Sequence, residues 1–320
     1  MEIVGGLRAL PLVTCPSGVR GPSVVTVGFF DGVHLGHRAV LGRTVEVARE
    51  RGLASAAVTF DRHPREVLTP GKEPRLLTTV ERRASLIAET GIDALVVLEF
   101  TEGFSKWPAE EFIRRVLVEG LDVEHVVMGA DFTFGHGARG NVEMLIEVGP
   151  RHGFTAERVG FVEVDGRRIS SSSIRRALSE GDLGWPFRAL GRRFVVDGTV
   201  VPGAGRGHAI GYPTANLRTW PRLLLPGGGI YAGRAEVDGV RRLAAIDVGT
   251  NPTFGVEPLH VEAYLLDFDG DLVGQEMAVE FWARLRDEER FDTQEALAEV
   301  MAGDVRRTRE LVPPPGGPDG

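Results

Sequence analysis

Between Ser23 and about Gly181, short apolar runs alternate with stretches whose apolar residues recur three and four positions apart. The runs at 24–30, 54–60, 94–100, 124–129 and 155–164 read as strands, with helical stretches of roughly ten to fifteen residues between them. The segment 80–90 is the clearest helix. Thr78 and Glu81 fit a capping box, Val80, Ala84 and Ile87 form an apolar stripe, and Gly91 is placed to end it. Strand and helix in strict alternation predict a doubly wound, Rossmann-like parallel sheet, in which ligands bind at the carboxyl ends of the strands.

After Gly184 the period changes to two. Runs 230–237 and 240–248 flank Asp238-Gly239, a two-residue hairpin signal, and runs 260–268 and 276–285 flank a second such pair, Asp269-Gly270. Met277, Val279, Phe281, Ala283 and Leu285 share one face of the last run, and 193–201 is a further strand. The expectation is an antiparallel β-barrel or sandwich followed by a helix over 293–311, with Asp292 and Glu295 at its cap. The expected modules are therefore 1–185 and 186–312, with 313–320 a disordered tail; no internal repeat is present.

Composition narrows the class of protein. A length of 320 residues suits two domains, and 42% hydrophobic with 26% charged residues is ordinary for a globular chain. A net charge of −8 argues against a nucleic-acid partner. The one cysteine, Cys15, cannot form an internal disulfide, and no apolar run reaches the roughly 18 residues that span a bilayer. With no signal-peptide pattern at the N-terminus, the expected setting is cytoplasmic, with no membrane partner and a monomer or weak homo-oligomer.

Candidate chemistry concentrates in VVTVGFFDGVHLGHRAVL (24–41), where an apolar run enters a glycine turn with an HxGH pattern and a helix follows. Glycines let backbone approach a phosphate, and a helix N-terminus offers unpaired N–H groups to it. If the helix begins at Gly36, His34 and His37 face the same phosphates. Gly28, Phe29 and Asp31 belong to the same turn. In VTFDRHPREVL, Asp61 and His63 follow a strand end, and a plain turn explains them equally well. In VVMGADFTFGHGARG, Gly129 and Asp131 end a strand and Phe132 and Phe134 could cover a ring system, with core packing an equal alternative for the two phenylalanines. In ISSSSIRRAL, four hydroxyls and Arg175 open a helix in a pattern suited to phosphate, which a simple N-cap does not need.

GFFDGVHLGH, GADFTFG and ISSSSIR, in this order, resemble the adenylyltransferase half of the prokaryotic bifunctional riboflavin kinase/FMN adenylyltransferases. GAGRGHAIGYPTANL, GIYAG, VGTNPTFG, HVEAYLLDFDGDLVG and LRDEERF resemble their kinase half, so the likeness runs nearly the whole chain. It implies ATP and Mg²⁺ as cofactors and riboflavin, FMN and FAD as substrates and products. In the first half it implies roles for His34, His37 and Arg175 in catalysis, for Gly28, Phe29, Asp31, Gly36, Ser171 and Ser172 in ATP binding, and for Asp131 and Phe132 at the flavin.

In the second half it implies nucleotide contacts from Gly205, Arg206, Gly211, Thr214 and Asn216, the last two also as metal ligands. It makes Glu262 the base. Without the likeness, Glu262 reads as an outward strand residue. Arg286 would reach phosphate, with surface pairing to Asp287 or Glu288 as its competitor. The chain departs from the family pattern at Arg62, Asp131, His208, Tyr212, Asp247 (commonly Asn) and Val273 (commonly Tyr). Two other readings stay open: a flavin- or nucleotide-binding regulator with an inactive kinase module, and a nucleotidyltransferase for another phosphate ester.

Overall fold

The computed structural model describes residues 1–5, 22–203, 211–250 and 259–314. Cys15, Gly205, Arg206 and His208 lie outside the described residues, as does 315–320 of the expected tail. By their contacts the described residues form two units: Met1–Pro74 with Val80–Ser170, and Arg75–Thr79 with Ser171–Gly320.

The first unit is built on an all-parallel sheet. Its strands are β1 (Glu2–Gly5), β2 (Ser23–Val27), β3 (Ala54–Phe60), β4 (Ala94–Leu98), β5 (Val123–Gly129) and β6 (Thr155–Val159), in the order β1-β4-β3-β2-β5-β6. Every residue of β2 and β3 is buried, as strands covered by helices on both faces must be. The edge strand β1, registered Glu2 to Ala94, is absent from the sequence reading because four residues are too few to show a period. The expected run 155–164 breaks at Gly160. β6 stops at Val159, and a separate hairpin of β7 (Glu163–Val164) and β8 (Arg167–Arg168) follows.

β2 lies between β3 and β5, so the chain reverses its direction of winding there, and it is at the strand ends beside such a reversal that sheets of this kind bind ligands. The helix Leu35–Arg51 leaves that end, buries Val40, Leu41, Thr44, Val45, Val47 and Ala48, and stops at Gly52 in the left-handed region.

In the second unit β9 (Phe194–Val201), β10 (Ala215–Thr219), β11 (Gly229–Val237), β12 (Val240–Gly249), β13 (His260–Leu265) and β14 (Glu276–Arg286) close an antiparallel barrel, ordered β10-β13-β12-β11-β14-β9. β11 and β12 form the expected hairpin, with Asp238 at φ 48° and Gly239 at φ 74°, the left-handed pair of a type I′ turn. The second Asp-Gly pair makes no hairpin. β13 pairs with β12 and β10, β14 pairs with β11 and β9, and the long connection through Asp269-Gly270 carries the chain between them. A turn signal reports only local backbone; which edges are open for pairing is set by the closed barrel.

The inward face alternates as read over Met277, Val279 and Phe281, which are buried along with Tyr231 and Val196. A register shift against β11 after Phe281 then breaks the period, so Ala283 is half-buried and Leu285 packs in a separate cluster with Ala232 and Val312. The closing helix, Gln294–Leu311, is capped by Thr293, whose Oγ1 accepts from the Ala296 N–H at 3.2 Å, and not by Asp292. Beyond it Val312 is buried, and the Pro313 carbonyl accepts from Arg234 Nη2 at 2.8 Å. Arg75–Thr79 joins this unit through a parallel bridge of Leu76 to Leu223.

Candidate active sites

At the end of β2 the chain makes a tight turn in which Phe30, Gly32 and Val33 take positive φ of 54°, 79° and 38°. Left-handed Phe and Val are costly conformations, held where surrounding structure over-determines them. The Gly28 N–H donates to the Val58 carbonyl at 3.0 Å, fixing the turn to β3. The helix begins at Leu35, one residue before Gly36, because His34 itself is the N-cap. Its Nδ1 accepts from the His37 N–H at 3.2 Å. A neutral His34 therefore carries its proton on Nε2, leaving that nitrogen a donor. The His34 and His37 rings stack with centroids 3.6 Å apart and planes 16° apart, and Phe30 meets His37 edge-on at 5.4 Å. Asp31 and His34 are 2% and 6% exposed.

The sequence reading missed Arg83. It lies on the helix Val80–Ala88 and is 1% exposed, where the apolar stripe alone had been expected inward. Its Nη1 donates to the Phe29 carbonyl at 3.0 Å and its Nη2 to the Phe60 carbonyl at 2.6 Å, and its guanidinium lies 4.4 Å from the Phe29 ring centre. It ties the ends of β2 and β3 together. Burial pulls its pKa down to about 10, against the opposing attraction of Asp31 and Asp61. Arg83→Met should lower stability by about 2–4 kcal/mol, because two strand-end carbonyls each lose a charged donor. Urea unfolding of the full chain followed by circular dichroism measures this, and an unchanged midpoint contradicts it.

Asp61 Oδ1 accepts from the Phe100 N–H at 2.8 Å, and His63 caps the helix Pro64–Leu68 in a reciprocal box with Glu66 while meeting Phe29 edge-on at 4.9 Å. After β5, Asp131 is exposed and paired with Arg168 at 2.6 Å. Phe134 is in the core, and Phe132, half-buried, packs against the same cluster with its ring stacked over that of Phe134 at 6.2 Å. In the helix Ser171–Ser179, grouped by its contacts with the second unit, Ser173 is buried and Ser172 exposed; Arg175 Nη1 donates to Ser172 Oγ at 3.4 Å.

Between the outer face of the barrel and the closing helix lies a cavity of about 490 Å³, lined in part by Thr214, Asp247, His260, Glu262 and Glu288 and by Leu297 and Met301 of that helix. Strand register sets its polar wall: Glu262 of β13 lies opposite Asp247 of β12, and Asn216 of β10 lies opposite Glu262 on its other side, next to the lining. Thr214 Oγ1 donates to Glu262 Oε2 at 3.0 Å, and His260 Nε2 lies 3.4 Å from Glu262 Oε1. Gly203 leaves room for the Asn216 amide, which any Cβ there would strike. Gly211, at φ 84°, is exposed just before this wall.

Asp247, seen in the sequence only as a departure from the family pattern, has its carboxyl pushed up to about 7. Burial contributes most, then the charges of Glu288 and Glu262, with His260 and Arg286 opposing. Its Oδ1 is buried with no hydrogen-bond partner among the described residues. An unfolded carboxyl titrates near 4. Between that value and about 7 the folded chain holds the extra proton, so stability falls as pH rises through this window and stays reduced above it. Asp247→Asn should therefore raise stability at pH 8 by roughly 1–3 kcal/mol and little at pH 4. Thermal melts at the two pH values test this, and an equal gain at both contradicts it.

Arg286 pairs neither with the Asp287 carboxylate nor with Glu288. Its Nε and Nη2 grip Asp304 on the closing helix, with Nη2 to Oδ2 at 2.8 Å, and Nη1 donates to the Asp287 carbonyl at 3.1 Å. Asp304 is 6% exposed; nothing in the helix period marks it as the partner of a strand residue 18 positions away.

A histidine-capped helix at the winding reversal of a parallel sheet, followed by a barrel with a carboxylate in a polar-walled cavity, defines a two-module protein for phosphate-bearing ligands. Residues 18–173 match the family described as FAD synthetase, and residues 190–312 match riboflavin kinase. The chain is 39% identical over 292 residues to the bifunctional riboflavin kinase/FMN adenylyltransferase of Pseudomonas fluorescens, covering 91% of this chain and 93% of that one. To the protein of the same name in Bacillus subtilis (strain 168) it is 36% identical over 290 residues, covering 89% and 91%. A solved Streptococcus pneumoniae structure, described as a macrolide-efflux protein, matches with a TM-score of 0.85 at 28% identity, covering 98% of this chain and all of that one. The chain belongs to the bifunctional riboflavin kinase/FMN adenylyltransferase family. Among the described residues no helix is long and apolar enough to cross a membrane.

Proposed function

We propose that this chain makes FAD from riboflavin in two ATP-dependent steps, phosphorylation in the barrel and adenylylation in the sheet module. The observation that carries this reading is the pairing of Glu262 with Thr214, beside Asn216, in the wall of one cavity. A pure binder needs no base there, which disfavours an inactive kinase module. Flavin selection comes from this second module, which disfavours another phosphate ester.

In the kinase step Glu262 accepts the proton of the riboflavin 5′-hydroxyl as that oxygen bonds to the γ-phosphorus of ATP. The bond to the β-phosphate oxygen breaks, and FMN and ADP result. Gly205, Arg206 and Gly211 would lie along the nucleotide, and Arg286, anchored by Asp304, would contact phosphate. Thr214 and Asn216 offer a hydroxyl and an amide oxygen, donors that suit Mg²⁺. Among the described residues no group of three or more His, Cys, Asp or Glu could hold a metal, which fits an ion shared with nucleotide phosphates rather than caged by protein. Bound there, Mg²⁺ would offset phosphate charge.

In the adenylyl step an FMN phosphate oxygen attacks the α-phosphorus of a second ATP and pyrophosphate leaves. The attacking group is already ionised, so no protein nucleophile is required. His34, His37 and the start of their helix, with Gly28, Phe29, Asp31 and Gly36 shaping the turn, would stabilise charge on the phosphates. Ser171, Ser172 and Arg175 would add phosphate donors, and Asp131 and Phe132 would meet the flavin. We assign the adenylyltransferase module to 1–185 and the kinase module to 186–312, and the chain to the cytoplasm as a monomer or weak homo-oligomer.

Purified protein with riboflavin, ATP and Mg²⁺ tests the reading. Flavin fluorescence should fall as adenine stacks on the ring, and chromatography should show FMN and then FAD. Fluorescence that holds steady with no FMN formed refutes it.

A further inference from the structure

The carboxylate of Glu262 meets a different side chain at each oxygen. Thr214 Oγ1 donates to Oε2 at 3.0 Å, while His260 Nε2 lies 3.4 Å from Oε1. His260 and Glu262 are two apart on β13, so strand pleating puts both side chains on the cavity face, where both are half-buried. Asp247 lies opposite Glu262 in the register, and Glu288 lines the same cavity, so the wall crowds carboxylates.

We infer that His260 is a positioning residue for the kinase step: its imidazole holds Glu262 Oε1, so that the carboxylate presents Oε2 in one orientation to the alcohol. The proposal rests on Glu262 being the base. A glutamate has three side-chain torsions, and crowding by Asp247 and Glu288 favours swinging its head away. A single hydroxyl donor on Oε2 leaves rotation about that contact, whereas a second donor on Oε1 removes it. Ordering of this kind matters because proton transfer demands near-contact geometry, and a misplacement of about 1 Å can cost about a hundredfold. The imidazole is drawn toward its protonated form first by its hydrogen bond to Glu262, with burial opposing, which agrees with the same contact.

The test uses the full chain, with FMN adenylylation as an internal control, and compares His260→Ala, His260→Gln and Glu262→Gln in steady-state riboflavin phosphorylation. His260→Ala should lower kcat about tenfold with KM for riboflavin and ATP changed less than about twofold, and should leave adenylylation as in the parent. His260→Gln keeps an N–H donor and should recover to within about threefold of the parent. Should His260→Ala lose its fold by circular dichroism, His260→Phe fills the space without a donor and carries the same expectation. A kcat within twofold of the parent in the donor-free variant, a loss confined to KM, or a Gln variant no better than Ala overturns the proposal. If Glu262→Gln also phosphorylates riboflavin at the parent rate, the base assignment has failed; if Glu262→Gln is inactive and His260→Ala is not, only the positioning role has.

Discussion

His34→Ala should abolish FAD formation from FMN, by at least about a hundredfold, while riboflavin phosphorylation stays within about twofold of the parent. The expected size follows from removing a preorganised donor aimed at phosphate charge, which typically costs about 10²–10³ in rate. The residue has two tasks in the structure. Its Nδ1 closes the helix Leu35–Arg51 through the His37 N–H, and its ring packs face to face on His37. Loss of the cap alone costs only about 1 kcal/mol of stability. His34→Asn separates the tasks, since Asn caps helices well but lacks the imidazole, and it should be as inactive as Ala. Chromatographic product analysis of both variants, with riboflavin and then FMN supplied, reads the result. A folded His34→Ala chain that still makes FAD refutes the role, and a folded variant that has lost both activities contradicts separate sites.

The reciprocal variant is Glu262→Gln. Riboflavin phosphorylation should fall by about 10²–10⁴, the usual contribution of a general base, while supplied FMN is still converted to FAD. Gln preserves the volume of Glu and can still accept the Thr214 hydrogen bond seen at 3.0 Å, so the wall of the cavity should stand. What it cannot do is take a proton from an alcohol. Single-turnover phosphorylation isolates that step, and a rate within threefold of the parent would remove Glu262 from the mechanism.

Local pattern made much of the architecture legible. The continuous apolar runs of β2 and β3, the period-two face of β14 as far as Phe281 and the Asp238-Gly239 turn state their backbone conformations through residues adjacent in the chain. His34 and His37 were readable as a pair because three residues on a helix return to the same face. Arg83 was not readable, since a charged side chain inside an apolar stripe looks like a surface residue until the strand-end carbonyls it binds are in place. The second Asp-Gly pair misled for a related reason: it describes a turn without saying which edges lie beside it.

The chain by itself determined that a parallel α/β module precedes an antiparallel one and that a histidine pair sits at a strand-to-helix junction, while Thr214, Asn216 and Glu262 drew notice through the family likeness and not through their own pattern. Only the tertiary structure decided that Asn216, Glu262 and Asp247 stand side by side, that Asp304 holds Arg286, and that β13 and β14 part company. Periodicity specifies the face on which a side chain emerges. Neighbours across strands depend on pairing order and register, which arise when the barrel closes and its buried faces must coincide.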